Sequence, residues 1–203
     1  MLPPGKIPFV MSQDDLCYYP YMSGDGFADR IVIGEDGKPT CQMVLDDGTV
    51  TTGDYDLVPI LEKFCEQHPD FSYKGARAVL AFTGYEGILG YRTSSSYAGS
   101  ETYDQDRQAA AEVAKCLREH GWELASHSWG HLDLGTVEWD RFQSDTDKWE
   151  SEVESLIGPT DIILFPFGAD LGDWHPYTME NERFRYLYNA GFRYFCNVDS
   201  SQY

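Results

Sequence analysis

Apolar and polar positions along this chain follow two periods that take turns. Ile7-Pro8-Phe9-Val10-Met11 is a short apolar run leading into the polar Ser12-Gln13-Asp14-Asp15, which predicts a strand ending in a loop. From Asp54 to Gln67, Leu57, Ile60, Leu61 and Phe64 recur at helical spacing, and Ala78 to Phe82 then reads as a strand. Asp106 to His120 carries Ala110, Val113, Ala114 and Leu117 on one helical face and ends at Gly121, suited to the left-handed turn that closes a helix. Asp104 is its expected N-cap. The order repeats with strand Trp122 to Ala125, an amphipathic helix Glu138 to Ile157 closed by Gly158-Pro159, and strand Ile162 to Phe165. A helix Glu182 to Ala190 closed by Gly191 and a strand Phe192 to Val198 follow. Such alternation predicts an α/β fold around a parallel sheet, open or closed into a barrel.

One stretch breaks the alternation. Between Tyr21 and Gly53, Glu35-Asp36-Gly37-Lys38 and Asp46-Asp47-Gly48-Thr49 are turn signals separating the short runs Arg30 to Ile33 and Gln42 to Leu45. Residues 21–53 are therefore expected to form a β-meander inserted after the first polar loop. Gly90 to Thr102, with Ser94-Ser95-Ser96, reads as the most mobile loop and a candidate groove wall. No repeat or long linker divides the chain, and 203 residues suffice for one domain, taken as 1–203, with a substantial core.

Charge and cysteine usage narrow the function classes. The 34 acidic and 15 basic residues give a formal charge of −19, which repels nucleic acid and anionic membrane surfaces and suits a neutral or N-acetylated partner better. No apolar run is long enough to insert in a membrane, and Met1-Leu2-Pro3-Pro4 is too short and proline-rich for a signal peptide. The five scattered cysteines argue against a disulfide framework or a cysteine zinc site, and Cys65, Cys116 and Cys196 read as core. A monomer is expected.

The candidate chemistry lies in two fragments, Ser12-Gln13-Asp14-Asp15 and Ser126-His127-Ser128-Trp129-Gly130-His131. Histidines four apart can converge on one ion, a carboxylate such as Asp15 can be the third ligand, and Asp14 is left over. Neighbouring residues on a strand point to opposite faces, so the two aspartates can share a site only where the strand ends. The same spacings also suit surface turns, as Asp46-Asp47 before Gly48 illustrates. What favours a site is position: both fragments, and Pro166-Phe167-Gly168, follow apolar strands, and ligands in parallel α/β folds collect at the carboxyl ends of strands. Tyr18, Tyr19 and Tyr21 offer rings that can stack on a sugar or simply pack. His68 and His120 fall at helix C-termini, where an imidazole favours the dipole.

These motifs resemble those of the polysaccharide deacetylases with a NodB-homology domain, also called carbohydrate esterase family four. Ser12-Gln13-Asp14-Asp15 resembles the family's Thr-Phe-Asp-Asp, which implies Asp14 as general base and Asp15 as metal ligand. His127-Ser128-Trp129-Gly130-His131 matches its His-Ser/Thr-x-x-His, which implies two further metal ligands and a hydroxyl that braces the loop. Leu164-Phe165-Pro166-Phe167-Gly168 resembles Arg-x-Pro-Tyr/Phe-Gly, which implies an oxyanion donor in the Phe167 N–H and substrate contacts around Pro166, Gly168 and Trp174. The resemblance further implies a NodB-like distorted (β/α) barrel, a divalent metal (zinc first, then cobalt, nickel or manganese), an N- or O-acetylated glycan substrate, and an extracellular or cell-surface location. Two positions depart from the family: Leu164 stands where it has arginine, and no Leu-His pair supplies its general acid before the chain stops at Tyr203. A barrel incomplete at its C-terminus is expected, with His175 as the local substitute acid. Two other readings stay open, a non-catalytic metal- and carbohydrate-binding relative and a small-molecule C–N hydrolase.

Overall fold

A computed structural model of the protein describes residues 5, 7–173 and 175–197. Its strands are β1 (Ser12–Gln13), β2 (Arg30–Ile33), β3 (Pro39–Val44), β4 (Val50–Gly53), β5 (Val79–Phe82), β6 (Glu123–Ser126), β7 (Ile162–Phe165) and β8 (Tyr194–Asn197). The helices are α1 (Leu57–Gln67), α2 (Tyr103–Glu119), α3 (Trp139–Trp149) and α5 (Glu182–Ala190). A π-helical stretch, Glu150–Glu154, continues α3 into the single turn α4 (Ser155–Ile157).

β1, β5, β6, β7 and β8 lie side by side in that order, all parallel, and curl as half of a barrel. Parallel strands joined through helices bury both faces, which is why β5 and β7 are wholly apolar and β6 has Leu124 and Ala125 at its centre. Leu80, Phe82, Leu124, Ile163 and Phe165 face the main core with Leu117, Phe142 and Trp149 from the helices, while Ala81, Ala125 and Leu164 form a smaller cluster on the other side. Trp149 Nε1 donates to the carbonyl of Phe82 at 2.9 Å, tying α3 to the carboxyl end of β5. β2, β3 and β4 make a separate three-stranded antiparallel sheet whose tight connections fall on the two turn signals, residues 34–38 and 45–49.

Several expectations shift in the structure. The apolar run from Ile7 to Met11 is not a strand: Ile7, Phe9 and Val10 are exposed, and pairing with β5 begins where Met11 O accepts from Val79 N. α1 turns a different face inward, with Val58, Leu61, Glu62 and Cys65 buried and Ile60 and Phe64 exposed. The cause is a buried carboxylate: Glu62 takes Arg77 Nη2 at 3.0 Å and Trp122 Nε1 at 2.7 Å, which rotates the helix, while Phe64 packs against His68 and Phe71 on the outside. Thr102 rather than Asp104 precedes the first turn of α2, and Asp104 sits inside it, where a negative charge favours the helix N-terminus. Gly90 to Thr102 is no loose flap. Tyr91, Thr93 and Ser94 are buried, and Arg107 holds the carbonyl of Thr93. Cys196 is half-buried rather than core; Cys65 and Cys116 are buried as expected. The expected strand's last residue, Val198, lies outside the described residues.

Candidate metal centre

Three strand ends converge on one spot. β1 delivers Asp14 and Asp15, β6 delivers His127, and β7 delivers Pro166-Phe167-Gly168. Asp15, His127 and His131 each offer a ligand atom, and these atoms lie within 4.8 Å of one another. His131 Nε2 is 3.4 Å from Asp15 Oδ2, and His127 Nε2 is 3.7 Å from Asp14 Oδ2. Bonds of about 2.0–2.2 Å from a tetrahedral ion put neighbouring ligands about 3.4 Å apart, so the His131–Asp15 separation fits and the third atom needs only a small approach.

The histidine loop is built to hold its rings. His127 is buried, and its Nδ1–H donates to the carbonyl of Leu164 at 2.9 Å, leaving the Nε2 lone pair toward the aspartates. Burial is the main cause that holds this imidazole below its ordinary value, so it is neutral, the form that ligates. Between the histidines, the N–H groups of Trp129 and Gly130 both donate to the buried carboxylate of Asp145 on α3, at 2.8 and 2.7 Å. Ser128 Oγ accepts from Leu132 N at 2.9 Å, a hydroxyl brace of the kind the motif implies. The indole of Trp129 is fixed by Glu152 in the π-helical stretch and lies under Lys148.

The aspartate loop is held differently, by side chains on all sides. Asp56, the N-cap of α1, accepts from Leu57 N at 2.7 Å, from Gln13 Nε2 at 3.0 Å and from Tyr18 OH at 2.7 Å. One carboxylate thus grips the residues flanking Asp14 and Asp15. Arg92 donates to the carbonyl of Tyr18 and to the thiol of Cys17, whose pKa burial pushes up to about 11. Tyr19 OH donates to Asp15 Oδ1 at 3.0 Å.

Backbone strain collects here. Asp15, Ser128, His131 and Phe167 all have φ between 51° and 61°, the left-handed region that disfavours side chains. The ring of Phe167 stands edge-on to His131, with centroids 4.6 Å apart, and is 71% exposed. Pro166 is buried behind it, and Gly168 continues the turn at φ 66°.

Not every expected residue arrives. His175 is exposed in a turn where its N–H donates to Gly172 O, and among the described residues no contact joins it to the site. Trp174 lies outside the described residues. No guanidinium reaches Asp14 among the described residues: Leu164, at the arginine position, is buried and contributes its carbonyl to His127. Tyr18 is buried against Asp56, not offered to a ligand.

Asp145 and Asp56 were not anticipated. Asp145 had a signal, an acid in the stripe Phe142, Asp145, Thr146, Trp149 that faces the core. Asp56 had only the look of an N-cap.

Fold and site together define an α/β protein with a candidate divalent-metal centre at the carboxyl ends of parallel strands. Residues 90–189, just under half of the chain, match the family model described as polysaccharide deacetylase. The match takes in the histidine loop and Pro166-Phe167-Gly168, and it supports a deacetylase-type hydrolase acting on carbohydrate amide or ester bonds. Asp14 and Asp15 lie before it. No curated protein matches the chain. Among the described residues, no helix is long and apolar enough to cross a membrane.

Proposed function

We propose that the protein is a metal-dependent deacetylase of an N- or O-acetylated glycan polymer. The observation that carries this reading is the convergence of Asp15, from the loop after β1, with His127 and His131, from the loop after β6, and Asp14 beside them. A divalent ion of the zinc type, with cobalt, nickel or manganese as alternatives, would be held by those three residues; when bound it acidifies a water and polarises a carbonyl. Asp14, next to His127 Nε2 and open to solvent, takes the proton of the attacking water. The Phe167 N–H, in a turn with a left-handed φ of 61°, is the donor assigned to the developing oxyanion. A polymer suits the site better than a small molecule, because Asp14 is 42% exposed and Phe167 71%, so the site is open to solvent rather than enclosed.

The antiparallel sheet β2–β4 is read as a decoration of the same domain, since Ala28, Ile31 and Cys41 are buried in the main core cluster.

Acetate release from N- and O-acetylated glycan oligomers by zinc- or cobalt-loaded protein tests the reading, with Asp14→Asn as control. Release that disappears in the variant is the expected result. No release from protein holding one metal per chain would instead favour a binding-only relative, the reading to which the bare Asp14 and the remote His175 point.

A further inference from the structure

The carboxylate of Asp15 is divided between two partners. Its Oδ2 faces His131 Nε2 at 3.4 Å, the side on which a metal would lie, while its Oδ1 accepts from the phenol of Tyr19 at 3.0 Å. The phenol has one proton, and with that proton on Asp15 its 3.4 Å contact to the buried Thr83 Oγ1 makes the threonine the donor. A relay therefore runs from Thr83, just past the carboxyl end of β5, through Tyr19 to Asp15. The ring that carries it is clamped: Tyr19 stacks on Tyr21 with centroids 5.4 Å apart and planes 8° from parallel, and on Tyr85 at 5.7 Å.

We propose that Tyr19 is a positioning residue for the metal ligand Asp15, fixing one carboxylate oxygen so that the other alone is presented to the ion. The inference rests on the metal-centre reading above. It assigns to Tyr19 a role different from sugar stacking, and it makes Asp15 a one-oxygen ligand, which keeps positions free for water and substrate. Groups that orient a metal ligand from behind typically change affinity about 10–100-fold when removed.

Tyr19→Phe keeps the ring between Tyr21 and Tyr85 and deletes only the oxygen. Calorimetric titration of the purified full chain with Zn²⁺ or Co²⁺ is expected to show about 10–100-fold weaker binding in Tyr19→Phe. The visible absorption of the Co²⁺ form is expected to change as Asp15 gains freedom to offer both oxygens. Thr83→Val is expected to weaken binding in the same direction by less, and it reads the same relay should Tyr19→Phe not fold. Wild-type affinity and an unaltered Co²⁺ spectrum in Tyr19→Phe, or wild-type affinity in Thr83→Val where that variant stands in, overturn the proposal. If Asp15→Ala loses the metal in that same experiment, the metal-centre reading survives. A wild-type chain that binds neither ion overturns both.

Discussion

The two loops that meet at the candidate centre are secured by opposite means. The histidine loop, with His127 and Ser128 buried, is held mainly through its backbone, by Asp145 on the Trp129 and Gly130 N–H groups, while the His127 ring donates to the carbonyl of Leu164. The aspartate loop is half-exposed and is held through side chains, with Asp56 gripping Gln13 and Tyr18, and Tyr19 gripping Asp15. The N–H groups that Asp145 holds exist whatever the side chain, with the Ser128 hydroxyl adding one brace, whereas the bracing around the aspartates depends on the particular side chains of Gln13, Tyr18 and Tyr19. Gln13, at the position where the resembled motif has phenylalanine, uses its amide to donate to Asp56.

The comparison can be broken by removing one support at a time. The largest effect is expected from the ligands themselves: Asp15→Ala or His131→Ala should lower zinc affinity by more than about 100-fold, beyond what loss of an orienting group does, as read by calorimetry. Asp145→Ala comes next, since it strips the acceptor from two N–H groups; a cost of about 1–3 kcal/mol for each is expected in urea unfolding, with weaker metal binding as a consequence. Asp56→Ser should keep the cap of α1 but lose Gln13 and Tyr18, so metal affinity falls, and the buried Tyr18 hydroxyl left without its acceptor costs about 1–3 kcal/mol. If stability fell and affinity did not, the aspartate loop would not depend on Asp56. Ser128→Ala should be mildest, about 0.5–1.5 kcal/mol for its one hydrogen bond to Leu132 N.

Acidity acts on the histidine loop in two opposed senses. Burial, the leading cause, keeps His127 below the ordinary imidazole value of 6.5, so below that pH the unfolded chain binds the proton more readily than the folded one. Stability from His127 is therefore whole above pH 6.5 and declines as pH falls through the window beneath it. Burial raises Asp145 above 3.8, which works in the opposite sense: its protonated form favours the fold at low pH, and that contribution fades as pH rises from 3.8 through the raised value. Urea midpoints measured on either side of pH 6.5 should fall on the acid side in the wild type and flatten in His127→Gln.

Much of the fold could be read from periodicity, and the places where it could not share a cause. α2 buries Ala110, Val113, Ala114 and Leu117 as its spacing predicts, because nothing polar interrupts that face. The apolar spacing of α1 points one position away from its buried face, because a pattern of apolar residues has no means of showing that Glu62 is buried by Arg77 and Trp122. The apolar residues from Ile7 to Val10 looked like a strand, yet being a strand requires a neighbour, and β5 reaches only as far back as Met11. At the site, the His127–His131 motif was legible because both ligands lie on one short loop. Asp145 and Asp56 were not, since each acts across the chain, 16 residues from Trp129 and 43 from Gln13 respectively.

β6 and β7 share a single paired position, Ser126 with Ile163, and the next carbonyl along, that of Leu164, is taken by the ring of His127. An imidazole here serves as a rung of the ladder. A variant at His127 therefore unzips part of the sheet as well as emptying a ligand position, and lost turnover in such a variant has two indistinguishable origins. His131, whose ring is no part of any strand pairing, is the cleaner place to ask what the ion contributes.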